Sequence, residues 1–202
     1  MVSAAVRQNL CKNVGVENTG DAWHRQTSKR VGEAVAKFRK DAGMTAQQLA
    51  ERCKELGVPI HRTTITKIEG GRSRFDLGEL LILAVALDVP PIVLLYPGLP
   101  DGEVEIIPGR VGTSWTAFQW AAGMAPSFLN PGTPSKGDQL LNAVRQRYVL
   151  MTQLAHLHVQ KSLATDDISK EALELRYAEV SGQINQLNAL IRDVGGVLAE
   201  RA

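Results

Sequence analysis

The chain has 202 residues, of which 44% are hydrophobic and 22% charged, with a formal net charge of +2 at pH 7. This is enough apolar material for a substantial core and room for two small domains, which excludes a disordered or fibrous chain. No run of eighteen apolar residues occurs and the first residues lack the apolar centre of a secretory signal, so a cytoplasmic protein with no membrane association is expected.

Two cysteines, Cys11 and Cys53, stand far apart with no CxxC spacing, so neither a disulfide framework nor a zinc site is expected. His156 and His158 are two residues apart and cannot share a helix stripe, which argues against a metal there. No metal and no cofactor is implied. The charges are unevenly placed: between Ser28 and Arg74 eleven basic residues stand against five acidic ones, a net +6, whereas Phe75 to Pro108 carries six acids and no Lys or Arg. A basic module of this kind suits a polyanion, because each neutralised phosphate releases counterions.

Residues 1–27 are polar and without an apolar period, and are expected to form a flexible arm with room for one short helix. From Ser28 the residues Val31, Ala34, Val35 and Phe38 recur at steps of three and four, predicting an amphipathic helix that stops near Gly43. Thr45 is a good N-cap for a second helix with Leu49, Ala50 and Cys53 inward, ended by Gly57 and Pro59. A third helix is predicted from Arg62 to Glu69, with Ile65 and Ile68 inward and the pair Gly70-Gly71 closing it. The fourth, Asp76 to Leu87, is expected to turn Leu77, Leu80, Leu81, Ala84 and Leu87 inward, and Pro90-Pro91 starts a short fifth helix. These five make a domain over residues 28–97.

Residues 98–137 read as a Pro- and Gly-rich connector in which Glu103 to Ile107 alternates like a short extended segment. Within it, the segment with Trp115, Phe118 and Trp120 reads as a one-turn helix or a docking plug, and Trp115 and Trp120 are expected to be core residues rather than ligand stackers. Residues 138–202 read as a helical hairpin broken near Ala164 to Asp167. Its first helix carries Leu141, Val144, Tyr148 and Met151, and its second Leu173, Tyr177, Val180, Ile184, Leu187, Ile191, Val194 and Leu198, all at alternating steps of three and four. Such seams have to be covered, by the antiparallel neighbour or by a second subunit, and these twelve residues are the candidates for oligomerisation. The expected fold is therefore all-α: a five-helix head, a linker and a long C-terminal helical hairpin.

The order of helices in the head is that of a helix-turn-helix reader of DNA. The segment also resembles the XRE family of phage-repressor-like regulators, on Arg39 in the first helix, Leu49-Ala50 in the second, the Thr-Ile-x-x-Ile-Glu-x-Gly run from Thr64 in the third, and the leucine-rich fourth. The resemblance implies that Ile65 and Ile68 are core residues and that Arg39 and Glu69 form a structural ion pair. It also implies that His61 caps the third helix and that Arg62, Thr63, Thr64, Thr66 and Lys67 face the duplex. Arg62 is suited to guanine O6 and N7 and the threonines to thymine methyls. Lys67, Arg72 and Arg74 are suited to phosphates, joined by Gln47 and Gln48 at the start of the second helix. The chain departs from the family in having Ala46 where many relatives place a glutamine, and in a longer turn before the third helix.

The function expected is a sequence-specific, double-stranded-DNA-binding transcriptional regulator, a repressor of phage or mobile-element type, acting as a homodimer through its C-terminal helices. The alternative is an antitoxin-like interaction protein whose C-terminal helices bind a protein partner while the head autoregulates. An enzyme is not expected, since HExxH, GxSxG and Gly-rich phosphate-loop motifs are all missing from the sequence.

Overall fold

The computed structural model describes residues 19–72, 76–125 and 132–199. The chain divides after Ala121 into two units. Helices build both, and the only strands among the described residues form one two-stranded sheet, so the fold is all-α with a five-helix head and a C-terminal helical hairpin.

The head begins with α1, Thr19–Asp41. It starts nine residues ahead of Ser28, so the second part of the expected flexible arm is helical; only residues 1–18 of that arm lie outside the described residues. On this first part of α1, half-buried Trp23 donates from Nε1 to the Glu105 carbonyl at 3.3 Å, a tertiary contact that leaves no periodic trace in the local sequence. After Gly43, whose φ of +66° favours glycine, α2 runs over Ala46–Glu55. Thr45 caps it in a reciprocal box, its hydroxyl accepting from the Gln48 backbone while the Gln48 side chain accepts from the Thr45 backbone at 2.8 Å.

Helix α3 (Arg62–Glu69) follows, then α4 (Leu77–Leu87) and α5 (Pro91–Leu95). Val31, Val35, Leu49, Cys53, Ile65, Ile68, Leu83 and Leu94 are all 2% exposed or less and make one core shared by the five helices. On α4 the expected inward set needs correcting. Leu80, Ala84 and Leu87 are buried, with Leu83 and Ala86, but Leu77 and Leu81 are 70% and 48% exposed, together with Val85 at 61%. The segment LGELLILAVAL is apolar on every side, so its periodicity could not distinguish the core face from the outer one.

Beyond α5, β1 (Glu103–Ile107) pairs antiparallel with β2 (Arg110–Thr113), Glu103 opposite Thr113, and a bulge between Glu105 and Ile107 precedes the turn at Gly109. The extended segment is thus one arm of a hairpin whose Val104 and Ile106 are buried. Helix α6 (Ser114–Ala121) carries Trp115 and Phe118 with rings stacked 5.3 Å apart. Trp115 is 44% exposed, which corrects its reading as a core residue; Trp120 is partly buried.

The second unit holds α7 (Lys136–Leu163) and α8 (Asp167–Asp193), packed along each other. On α8 the seam residues Val180, Ile184 and Ile191 are buried, with Leu173, Tyr177 and Leu187 partly so. Val194 is the C-cap and Leu198 lies past the helix end, because Gly195 with φ +91° turns the chain away. On α7 the face that meets α8 lies one residue back from the expected seam: Ala143 and Leu157 are buried, Leu150 and Leu154 pack in the cluster, and Arg147 donates to the Asn188 side chain at 2.7 Å. Leu141, Val144, Tyr148 and Met151 are 42%, 45%, 73% and 43% exposed. Two apolar stripes, one residue and hence about 100° apart, run along this helix, and spacing alone does not say which of them meets the neighbour.

Candidate nucleic-acid interface

The face that α3 offers to the outside is decided by what holds its inner face. Ile65 and Ile68 are 0% and 1% exposed, which turns Arg62, Thr63, Thr66 and Lys67 outward; all four are exposed and Thr64 is half-buried. At the N-terminus, exposed His61 caps the helix: its Nδ1 accepts from the Thr63 backbone at 3.4 Å and lies 2.8 Å from the Thr63 hydroxyl. The Thr66 hydroxyl donates to the Arg62 carbonyl at 3.1 Å. Both hydroxyls are therefore engaged at the helix, so each threonine offers its methyl group and the oxygen as an acceptor.

A clamp joins the far end of α3 to α1. Arg39 Nε donates to Glu69 Oε1 at 2.6 Å and its Nη2 to Oε2 at 2.8 Å, while Nη1 donates to the Met44 carbonyl at 2.7 Å. This is a bidentate pair with both side chains only 12–14% exposed, so direction as well as charge is fixed. The hydrogen bond to Glu69 raises the guanidinium above its ordinary pKa, against the opposing effect of burial.

One residue that sequence reasoning passed over completes the support. At Gly32, in the middle of α1, a Cβ would lie 2.0 Å from the Ile68 carbonyl oxygen, so the two backbones touch there. The available signal was a glycine inside a strongly amphipathic helix, which costs about 1 kcal/mol against alanine and usually marks a close approach. Two further arginines act as ties: Arg30 Nε donates to the Leu95 carbonyl at 2.9 Å, and Arg52 Nη1 to the Ala86 carbonyl at 3.0 Å.

Residues 30–94 match the family of helix-turn-helix domains. The match spans about a third of the chain and takes in all of α2 to α4, the C-terminal half of α1 and all but the last residue of α5. No curated protein and no solved structure matches the chain. In a helix-turn-helix domain the second helix of the motif, here α3, is the one placed in the major groove with its N-terminal residues at base edges.

Around the helix-turn-helix motif the other candidate contacts are unequal in freedom. Gln47 and Gln48 are exposed at the start of α2, but Gln48 is committed to the Thr45 cap and Gln47 donates to Glu51 at 2.9 Å. Arg72 is partly buried and ion-paired with Glu79 of α4. Arg74 lies outside the described residues. The turn between α2 and α3 holds six residues, Leu56 to His61, with Gly57 at φ +88° and Ile60 buried as its anchor. Among the described residues no three of His, Cys, Asp or Glu come together as metal ligands, and no helix is long and apolar enough to cross a membrane.

Proposed function

We propose that the chain is a cytoplasmic, sequence-specific transcriptional regulator of the XRE type, a repressor that binds double-stranded DNA as a homodimer. The observation that carries the reading is the pairing of a helix-turn-helix match with an α3 whose inner face is locked by Ile65, Ile68 and the Arg39–Glu69 clamp while its outer face stays polar and exposed. In this reading His61, Arg62, Thr63, Thr64 and Thr66 meet base edges, Arg62 forking onto a guanine and the threonine methyls meeting thymine. Lys67, Arg72 and Arg74, with Gln47 and Gln48, meet the backbone and fix the register. Ion pairing of Arg72 with Glu79 makes it a weaker phosphate contact than Lys67, whose side chain is exposed.

Selection of bound duplexes from a random pool tests the whole reading, with a palindromic motif as the expected result and an absence of enrichment as the result that overturns it. On the selected site, Arg62→Ala weakens specific binding by about 1–3 kcal/mol and relaxes preference at one base pair. By contrast, Lys67→Ala weakens all duplexes alike and lowers the slope of log K against log salt by about one.

A further inference from the structure

Helix α7 has two apolar stripes, and only one is used inside its own chain. The stripe through Ala143, Leu150, Leu154 and Leu157 packs on α8. The other, through Leu141, Val144, Tyr148, Met151, Ala155 and Val159, is exposed along its whole length. We propose that this outer stripe of α7 is the surface on which a second copy of the chain docks, so that two hairpins associate through α7 against α7 while each α8 remains the intrachain partner. The proposal rests on the dimeric regulator reading above and names the surface that reading requires.

Three observations favour a copy of the same chain as the occupant. The first is area. The six side chains leave roughly 500–600 Å² of largely apolar surface open, which is at the upper end of what a monomer carries without a partner, and two copies closing on it would bury about 1,100 Å², enough for a specific interface. The second is charge. From Gln139 to Thr165 there is no acidic residue, and the basic groups beside the stripe are already engaged within their own unit. Arg145 donates to the Gly123 carbonyl at 2.7 Å and to that of Ala122, Arg147 binds Asn188, and Lys161 pairs with Glu174 at 2.5 Å. The stripe itself is made only of uncharged side chains, and the arginines that flank it are held by acceptors of their own chain, so an apolar face such as that of a copy fits it. The third is spacing. The stripe advances by three and four residues in alternation from Leu141 to Ala155, the spacing that lets a helix interdigitate with another of the same pattern, and a copy has it by construction.

The alternative site for self-association is the outer face of α4, where Leu77, Leu81 and Val85 are also exposed, and it supplies the control. Sedimentation equilibrium of the full chain and of Tyr148→Glu, Met151→Glu and Leu81→Glu decides between them. The expected result is a dimer for the unsubstituted chain and for Leu81→Glu, and a monomer with unchanged helical circular dichroism for the two α7 variants, whose side chains are exposed in the single chain. A monomeric unsubstituted chain, a dimer surviving both α7 substitutions, or dissociation by Leu81→Glu overturns the proposal. Titration with single half-site and palindromic duplexes separates this surface from the DNA-binding reading. Tyr148→Glu is expected to keep half-site affinity and to lose at least about tenfold on the palindrome. Equal palindrome affinity in the monomeric variant would count against the surface, whereas a chain that dimerises through α7 and binds neither duplex overturns the regulator reading alone.

Discussion

In the head, α1 and α3 approach so closely at Gly32 that any side chain there would strike the Ile68 carbonyl; in the hairpin, a Cβ added at Gly182 of α8 would meet nothing within 4 Å. The same residue type does opposite things because the two regions are packed differently. Five helices enclose one core, so every helix of the head, α3 above all, is held from several sides. The two long helices of the hairpin share a single face, with a buried cluster built on Leu157, Val180 and Ile184, and the rest of their surface is open. A region that must present side chains at fixed positions gains from the first kind of packing. Where the task is to present a long surface, the second suffices.

Exchanging glycine for alanine in each region sharpens the contrast. Gly32→Ala should destabilise the head by about 3 kcal/mol or more, since a methyl group 2.0 Å from a backbone oxygen can be relieved only by moving α1 off α3. Urea denaturation followed by circular dichroism measures it, and a gain in stability from the better helix former would show that the close approach is not maintained. Next in size is the clamp beside it. Glu69→Ala leaves the Arg39 guanidinium largely buried without its carboxylate, at a cost of about 3 kcal/mol, and loosens the end of α3, so operator affinity should fall although neither residue is a proposed DNA contact. Unchanged stability together with unchanged affinity would remove the clamp from the account. Gly182→Ala should act in the other direction and stabilise the hairpin by about 1 kcal/mol, because it replaces the poorest ordinary helix former at a site with open space around it. Slower amide exchange in α7 and α8 is the expected readout.

How much of this was legible in the sequence follows from the same contrast. The helix order of the head could be read because its caps and stops are local: Thr45 with Gln48, His61 before α3, and the glycines at positions 43 and 57 act within a few residues of themselves. The outward face of α3 follows from Ile65 and Ile68 in the same way. What could not be read depends on distant neighbours. Trp23, on the early part of α1, bonds a carbonyl 82 residues away, and Gly32 matters only because α3 lies against it. Apolar residues on every side of α4 and two offset stripes on α7 carry more apolar positions than one face can use, so periodicity named a set without naming its partner.

The smallest expected effect separates the hairpin helices from α2 by acid. The hairpin helices begin on carboxylates: Asp138 is held below its ordinary pKa by hydrogen bonds from the Ser135 side chain and backbone, and Asp166 by one from the Ser169 backbone at 2.7 Å. In the head, α2 begins on Thr45 and Gln48, neither of which titrates in this range. A carboxylate whose folded pKa is depressed contributes its stabilisation fully above the unfolded value of about 4 and loses it as the pH falls through the lower folded value. As the pH falls below about 4, amide exchange in α7 and α8 should therefore accelerate relative to α2, beyond the intrinsic pH dependence of exchange. The double substitution Asp138→Asn with Asp166→Asn keeps an oxygen to accept at each cap but removes the titration, so it should flatten that dependence while leaving exchange at neutral pH nearly unchanged. An identical acid response in the double variant would mean that other groups, Glu174 beside Lys161 first among them, carry it.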